Sequence, residues 1–360
     1  CMFAAHYKLD NFVAIIDNNG LQIDGDVAKV MSPYPIVDKL EAFGFHVQAI
    51  DGHDMAQIDA AMEQAKTVKG QPCAIVMKTV KGKGYPPAER EPDRFHGVSP
   101  FHKEDGTPRS AKSGDSFSSV FGKTMCALAA ERESVCAITA AMQSGTGLDG
   151  FAAQYPDRFF DVGIAEEHAA AMAAGMAKQG AAPVLAIYSS FLQRSYDQLL
   201  HDVGIQGLHV VLGVDRAGLV GEDGETHHGV FDVAYLNTVP GMRILCPASF
   251  AELEAMVRWG VLEHRGPAAI RYPRGGEGPY RGLCGVEGAS VLREGNDISL
   301  IAYGTMINEV LAAADGLKAQ GISAQVLKLN SIAPLDMDSV AACAAKTGRV
   351  LVAEECVDAG

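Results

Sequence analysis

The sequence lacks the features that would point to a membrane, to nucleic acid or to a disulfide framework. It has 30 Lys and Arg against 44 Asp and Glu, and the net charge of -14 argues against nucleic acid or an anionic membrane as the main partner. No apolar run is long enough to cross a bilayer. The eight cysteines are scattered without a Cys-x-x-Cys pair, which favours reduced thiols in a cytoplasmic compartment over a disulfide framework or a zinc site.

What the sequence does contain is an alternation of apolar strands and helical segments. Val135–Thr139, Ala268–Arg271 and residues 183–187 are short apolar runs typical of buried strands, and residues 190–200 have helical periodicity. Such alternation predicts an α/β fold with mostly parallel sheets. The length of 360 residues predicts two or three domains.

Two segments change this character and predict domain boundaries. Residues 82–113 are rich in Gly, Pro, Lys and Glu with little periodicity, and residues 275–288 are rich in Gly. We therefore expect domains over 1–81, 114–277 and 289–360, with 82–113 as a linker. The chain starts at Cys1, inside a helical pattern, and stops soon after an apolar strand, so we expect a fragment of a longer protein.

Glu166 stands at the start of an Ala- and Met-rich helical segment. One interpretation is a solvated residue at a helix N-terminus, where acidic side chains are favoured. The other is a carboxyl group in apolar surroundings, which tends to keep its proton and can donate a hydrogen bond near neutral pH. The local pattern leaves both open.

Three polar clusters follow apolar strands, where sites in open α/β sheets usually lie. Residues 17–25 offer amide and carboxylate oxygens suited to Mg²⁺, although an ordinary Asx-rich turn is the alternative. Residues 188–197 offer aromatic faces and Arg194, which could equally be core packing with a surface arginine. Residues 215–229 form a long loop with Arg, Asp and two His, a composition that indicates binding and proton exchange. Arg274 follows a further strand and could add a guanidinium for phosphate.

The motifs Phe-Asp-Val-Gly-Ile-Ala-Glu (160–166), Ile-Tyr-Ser-Ser-Phe-Leu-Gln-Arg-Ser-Tyr-Asp-Gln (187–198) and Asp-Gly-Glu-Thr-His-His-Gly (223–229) occur in this order. Together they resemble the thiamine-diphosphate-dependent transketolase superfamily. From about residue 82 onward the chain is most similar to the 1-deoxy-D-xylulose-5-phosphate synthases, whereas the first ~90 residues look more like a transketolase.

The resemblance implies a three-layer α/β/α thiamine-diphosphate-binding fold with mostly parallel sheets, plus a C-terminal α/β domain. Residues 1–81 would be the C-terminal part of the diphosphate-binding domain, 114–277 the pyrimidine-binding domain and 289–360 a truncated transketolase C-terminal domain. The Gly-Asp-Gly half of the diphosphate site is expected to precede residue 1.

The resemblance also implies a set of site residues and ligands. Glu166, Phe191 and Arg194 would bind the pyrimidine of thiamine diphosphate, while Asn19 and the carbonyl of Leu21 would bind Mg²⁺. His96 and His227 would be catalytic. The substrates pyruvate and glyceraldehyde 3-phosphate would be bound by four further residues: Tyr188, Arg216, Asp223 and Arg274. A homodimer is expected.

The implied reaction is decarboxylation of pyruvate and condensation with glyceraldehyde 3-phosphate, giving 1-deoxy-D-xylulose 5-phosphate. This product would feed isoprenoid, thiamine and pyridoxal synthesis. Two alternatives stay open: a transketolase that moves two-carbon units between sugar phosphates, and a non-catalytic paralogue.

Overall fold

The computed structural model describes residues 1–22, 25–98, 100–109 and 114–357. The chain divides into two compact units, residues 1–112 and 113–360. None of the described helices has the length and apolar character that a bilayer crossing requires.

The first unit contains a three-stranded parallel sheet with helices on both of its faces. The strands are β1 Val13–Asn18, β2 Leu21–Gln22, β3 Gly25–Asp26, β4 His46–Asp51 and β5 Cys73–Lys78, and the helices are α1 Met2–His6, α2 Val27–Val30, α3 Ile36–Ala42, α4 Met55–Thr67 and α5 Pro86–Arg90. The sheet order is β1-β5-β4, and β2 and β3 form a separate antiparallel pair. Asp54 caps α4 by accepting from the amides of Ala56 and Gln57.

The second unit begins with a seven-stranded sheet. Its strands are β6 Val135–Thr139, β7 Phe159–Asp161, β8 Ala182–Tyr188, β9 Val211–Asp215, β10 Arg243–Leu245 and β11 Ala268–Arg271, with β15 Ser331–Ala333 as the seventh. The accompanying helices are α6 Phe117–Glu131, α7 Asp149–Gln154, α8 Glu166–Lys178, α9 Ser189–Leu192, α10 Tyr196–Gln198, α11 Asp232–Leu236 and α12 Phe250–Leu262. The order is β15-β10-β11-β9-β8-β6-β7, and all neighbours are parallel except β15, which runs antiparallel to β10.

Alternation along the strands produces three layers. Ile138, Leu185 and Leu212 point to a core shared with the Ala-rich helix α8. The intervening residues, such as Ala137 and Val184, point to a second core formed with α6 and α12. This arrangement confirms the expected α/β/α layers with a mostly parallel sheet.

A second, four-stranded sheet follows. It has the order β12-β14-β13-β16, and only the β12–β14 pair is antiparallel. The strands are β12 Ala289–Arg293, β13 Ile298–Tyr303, β14 Ala324–Leu329 and β16 Val350–Ala353, and the helices are α13 Met306–Ala319 and α14 Met337–Thr347. Lys328 and Glu252 form a fully buried ion pair between this sheet and α12, with Nζ 3.1 Å from Oε2.

The segment 190–200 is helical, as expected, but it is not one regular α-helix. It is α9, a 3₁₀ turn at Gln193–Ser195, the short α10 and a π-helix at Leu199–Gly204. The broken geometry turns Phe191 and Arg194 toward Glu166 and Tyr188, whose contacts with them are described below.

Candidate active site

Glu166 is the first residue of α8 and is 2% exposed. Its Oε1 accepts a hydrogen bond from Arg194 Nη1 at 2.9 Å. The interpretation of Glu166 as a solvated residue at the helix N-terminus is therefore wrong, because the carboxylate is enclosed and ion-paired. Arg194 has a half-exposed side chain, so the pair lies at the edge of the protein interior.

The turn before Glu166 is held by a residue that the sequence did not single out. Asp161 Oδ1 accepts from the backbone amides of Ala141 at 2.8 Å and Gly163 at 2.9 Å. Ala141 and Gly163 both have positive φ, a region that is costly for a residue with a side chain. Asp161 thereby fixes the backbone that leads into α8.

Three rings form an aromatic wall beside this pair. Phe191 and Tyr188 are stacked with centroids 5.7 Å apart, and the ring of His227 meets Phe191 edge-on at 5.2 Å. The guanidinium of Arg194 lies 5.8 Å from the Phe191 ring centre. His227 Nδ1 is also within hydrogen-bond distance of Thr226 Oγ1, at 3.0 Å.

A cluster of two arginines and two aspartates continues the wall. Arg216 lies over Tyr188 at 3.9 Å and ion-pairs with Asp215 at 2.9 Å. Asp223 Oδ2 bridges Arg216 Nε at 3.3 Å and Arg274 Nε at 3.1 Å. Burial raises the pKa of Asp215, against the opposing influence of Arg216. Asp215 begins the third polar cluster of the sequence, but only the structure shows that it is the buried partner of Arg216.

The loop that carries Arg216, Asp223 and His227, residues 216–230, is referred to here as the substrate loop. The amides and carbonyls of Gly218 and Gly229 exchange two hydrogen bonds of 2.8 Å, which close the base of the loop. His228 Nδ1 accepts from the amide of Val220 at 3.1 Å. The two adjacent histidines thus differ: His228 bonds within the loop, whereas the ring of His227 is part of the aromatic wall.

Eight of the site residues expected from the sequence form one continuous line of contacts. It runs from Glu166 through Arg194 and the aromatic wall to Arg216, Asp223 and Arg274. All follow the carboxyl ends of β7, β8, β9 and β11, which are neighbours or near neighbours in one sheet. The line combines a buried carboxylate, a stacking surface and two guanidiniums, which suits a heteroaromatic ring at one end and an anion at the other.

The other three expected site residues lie in the first unit. Asn19 Oδ1 accepts from the amide of Leu21 at 2.9 Å, and Asn19 Nδ2 donates to Asp17 at 3.4 Å. Asp24, part of the same polar turn, lies outside the described residues. The Asx turn that was the alternative is thus present, and it leaves the Leu21 carbonyl and a second lone pair on Asn19 Oδ1 as oxygen donors suited to Mg²⁺. For His96, partial burial and the charge of Lys81 lower the pKa.

Comparison with protein families matches three models of one family to successive parts of the chain. They are the transketolase thiamine diphosphate binding domain over residues 1–116, the transketolase pyrimidine binding domain over 115–276 and the transketolase C-terminal domain over 287–360.

Curated relatives are similar over most of this chain. The 1-deoxy-D-xylulose-5-phosphate synthase 1 of Geobacter sulfurreducens is 45% identical over 328 residues, 88% of this chain and 50% of that protein. The 1-deoxy-D-xylulose-5-phosphate synthase of Desulforudis audaxviator is 47% identical over 332 residues, 89% of this chain and 51% of that protein. The chain therefore spans about half the length of the curated relatives it matches.

Solved structures show the same fold. A split-gene transketolase, described as an inactive β4 tetramer, is 30% identical with a TM-score of 0.60, over 68% of this chain and 81% of that one. Transketolase from Campylobacter jejuni is 21% identical with a TM-score of 0.59, over 98% of this chain and 66% of that one.

Proposed function

Because this chain belongs to the transketolase family, we propose that it is part of a thiamine-diphosphate-dependent transferase, specifically a 1-deoxy-D-xylulose-5-phosphate synthase. The substrates would be pyruvate and glyceraldehyde 3-phosphate. The observation that carries the proposal is the line of contacts from the buried Glu166 to Arg216 and Arg274, which both pair with Asp223. Similarity to curated synthases at 45–47% identity supports the choice of reaction.

The residues at the Glu166 end fit the pyrimidine of thiamine diphosphate. A carboxyl group that is 2% exposed could bond to a ring nitrogen, and Phe191 offers a flat face for stacking. Arg194 would orient the Glu166 carboxylate from the side away from the ring. When bound, the cofactor supplies the electron sink that decarboxylation of a 2-oxo acid needs.

The residues at the other end would bind the acceptor. Arg216 and Arg274 would hold its phosphate, since a guanidinium binds phosphate oxygens through two parallel N–H bonds. Asp223 would keep both guanidiniums in place, Tyr188 would line the passage between the two ends, and His227 would carry a proton to or from a substrate oxygen.

The first unit carries three of the residues to which we assign a role. We propose that Asn19 and the Leu21 carbonyl bind Mg²⁺ and that His96 donates a hydrogen bond or a proton near the reacting atoms. Residues 1–81, 114–277 and 289–360 would be the diphosphate, pyrimidine and C-terminal domains, joined by the linker 82–113. We further propose a homodimer acting in the cytoplasm, where its eight free thiols would stay reduced.

A product assay on the full-length protein tests the proposal. With thiamine diphosphate and Mg²⁺, we expect carbon dioxide release and 1-deoxy-D-xylulose 5-phosphate only when pyruvate and glyceraldehyde 3-phosphate are both present. Turnover of a ketose phosphate with an aldose phosphate, without pyruvate, would instead identify a transketolase. Absence of both reactions in a folded protein that binds the cofactor would identify a non-catalytic paralogue.

A further inference from the structure

The residues that follow β16, Glu354–Val357, pack against the base of the substrate loop. The amide of Val357 donates to the carbonyl of Val230 at 3.0 Å, at the end of the loop. The carboxylate of Glu355 lies against Gly218, near its start. One short segment therefore holds both strands of the loop base.

Glu355 and Gly218 fit each other closely. A Cβ on Gly218 would lie 2.1 Å from Glu355 Oε2, well inside contact distance, and Gly218 has φ of +77°. Glycine is needed at this position for both reasons, because a side chain would strain the backbone and displace the carboxylate. The Glu355 carboxylate therefore occupies the space that a side chain at position 218 would need.

The neighbouring Cys356 anchors this segment to the seven-stranded sheet. Its Sγ lies 3.2 Å from Arg271 Nη2, and Arg271 is itself a buried partner of Asp232, with Nε 3.0 Å from Oδ2. Asp232 begins α11, directly after the substrate loop. Glu355 is therefore held by a rigid frame and can fix the loop base instead of moving with it.

We propose that Glu355 is a positioning residue that holds the substrate loop in the conformation that binds a phosphorylated aldehyde. It acts through Gly218 and Leu219 on the two charged groups of the same loop. Arg216 is two residues before Gly218, and Asp223 is four residues after Leu219. The inference rests on the proposed function for the identity of the acceptor. Glu355 lies against Gly218, two residues from Arg216, so we expect its main effect on acceptor binding rather than on the decarboxylation of pyruvate.

Glu355→Ala in the full-length holoenzyme tests this role. Loss of the carboxylate that packs against Gly218 is expected to raise KM for glyceraldehyde 3-phosphate about tenfold, with KM for pyruvate changed less than about twofold. Hydrogen exchange of peptides covering 216–230 should become faster. Glu355→Gln, which keeps the shape and one acceptor oxygen, should restore most of the affinity.

Glu354→Ala is the matched control. Glu354 is next in the chain but accepts from Tyr303 Oη at 2.9 Å, so its loss should leave both the acceptor KM and the exchange of 216–230 unchanged. If Glu355→Ala does not fold, Glu355→Asp withdraws the carboxylate from Gly218 by one methylene without changing the loop backbone, and it is read by the same two measurements.

The outcomes separate this inference from the proposed function. A wild-type enzyme that turns over pyruvate and glyceraldehyde 3-phosphate, together with a Glu355→Ala variant of unchanged acceptor KM and loop exchange, overturns the positioning role. A wild-type enzyme without synthase activity overturns the proposed function. In that case, calorimetric titration with glyceraldehyde 3-phosphate decides the positioning role, because equal affinity in wild type and Glu355→Ala refutes it and weaker affinity in the variant supports it.

Discussion

Replacing Lys328 by Met should destabilise the protein strongly, because it leaves a buried carboxylate without its cation. Lys328 and Glu252 are both fully buried, and Lys328 Nζ also donates to Asn330 Oδ1 at 2.7 Å. In the variant, Glu252 keeps only the amide of Ala248 and the hydroxyl of Tyr280, both at 2.8 Å. Breaking a buried pair on one side costs about 3–5 kcal/mol, a large part of the roughly 5–15 kcal/mol that stabilises a typical protein.

The double variant Lys328→Met/Glu252→Gln should recover part of that loss. The neutral amide keeps an acceptor oxygen for the Ala248 amide and offers an NH2 to the Tyr280 hydroxyl, which can turn to accept, and it carries no uncompensated charge, so about 1–3 kcal/mol of stability should return. Arg258→Met is the control, because Arg258 and Glu131 form a two-bond pair of 2.8 Å that is only partly buried. Its loss should cost much less than the loss of the buried pair, because solvent screens exposed charges.

Urea unfolding followed by tryptophan fluorescence measures these differences. The single tryptophan, Trp259, lies on α12, the same helix as Glu252, so its emission reports directly on that part of the second unit. The reasoning that Lys328 and Glu252 form a charged, buried pair would be refuted by either of two results. Lys328→Met would lower the free energy of unfolding no more than Arg258→Met does, or the double variant would be no more stable than Lys328→Met.

Three other changes test the site and the titration of the core. Glu166→Gln should lower kcat at least about 100-fold while the protein still folds, as measured by carbon dioxide release, since general acid–base contributions are of that size; near-normal turnover would exclude the assigned role. Arg274→Ala should raise KM for glyceraldehyde 3-phosphate about tenfold or more with little change for pyruvate, because a bidentate charged contact is lost; an effect confined to pyruvate would contradict the phosphate assignment. Burial lowers the pKa of His209, whose Nε2 lies 2.8 Å from the Gly260 carbonyl. The neutral ring is thus favoured by folding, and its contribution to stability, present above about pH 6.5, should be lost as the pH falls through the folded-state pKa. His209→Gln should flatten that acid-side slope in urea unfolding between pH 7.5 and 5, and an unchanged slope would contradict this.

The parts of the fold that the sequence predicted well are long, periodic or wholly apolar. β6 and β11 begin and end where expected, and the Ala- and Met-rich segment that starts at Glu166 is the helix α8. Such segments carry their own signal because every strand residue is buried or a whole helix face is apolar. Short elements such as β10 and β12 were not found, since three to five residues of mixed polarity acquire strand geometry only from pairing with a neighbour.

For the site, the sequence indicated some residues by their type but did not show which groups lie in contact. Glu166, Arg194 and Asp223 were found because charged groups beside strand ends are unusual enough to notice. Asp161 and Glu355 were not, because residue type alone does not show that Asp161 bonds to the amides of Ala141 and Gly163 or that Glu355 lies beside Gly218. The change of helix type within 190–200 was not predicted either, because the periodicity of that segment is helical throughout.

Strand β15 limits where this chain can be joined to a relative to make a chimaera. The chain leaves the seven-stranded sheet at β11, builds β12 to β14 of the other sheet, returns Ser331–Ala333 to the edge of the first, and then adds β16 to the second. No single crossover point therefore separates the two sheets. A chimaera joined within the Gly-rich segment 275–288 would pair one parent's β10 with the other parent's β15. Exchange between relatives should succeed only where Ile244 and Leu245 and their partners Ala333 and Ser331 are inherited together.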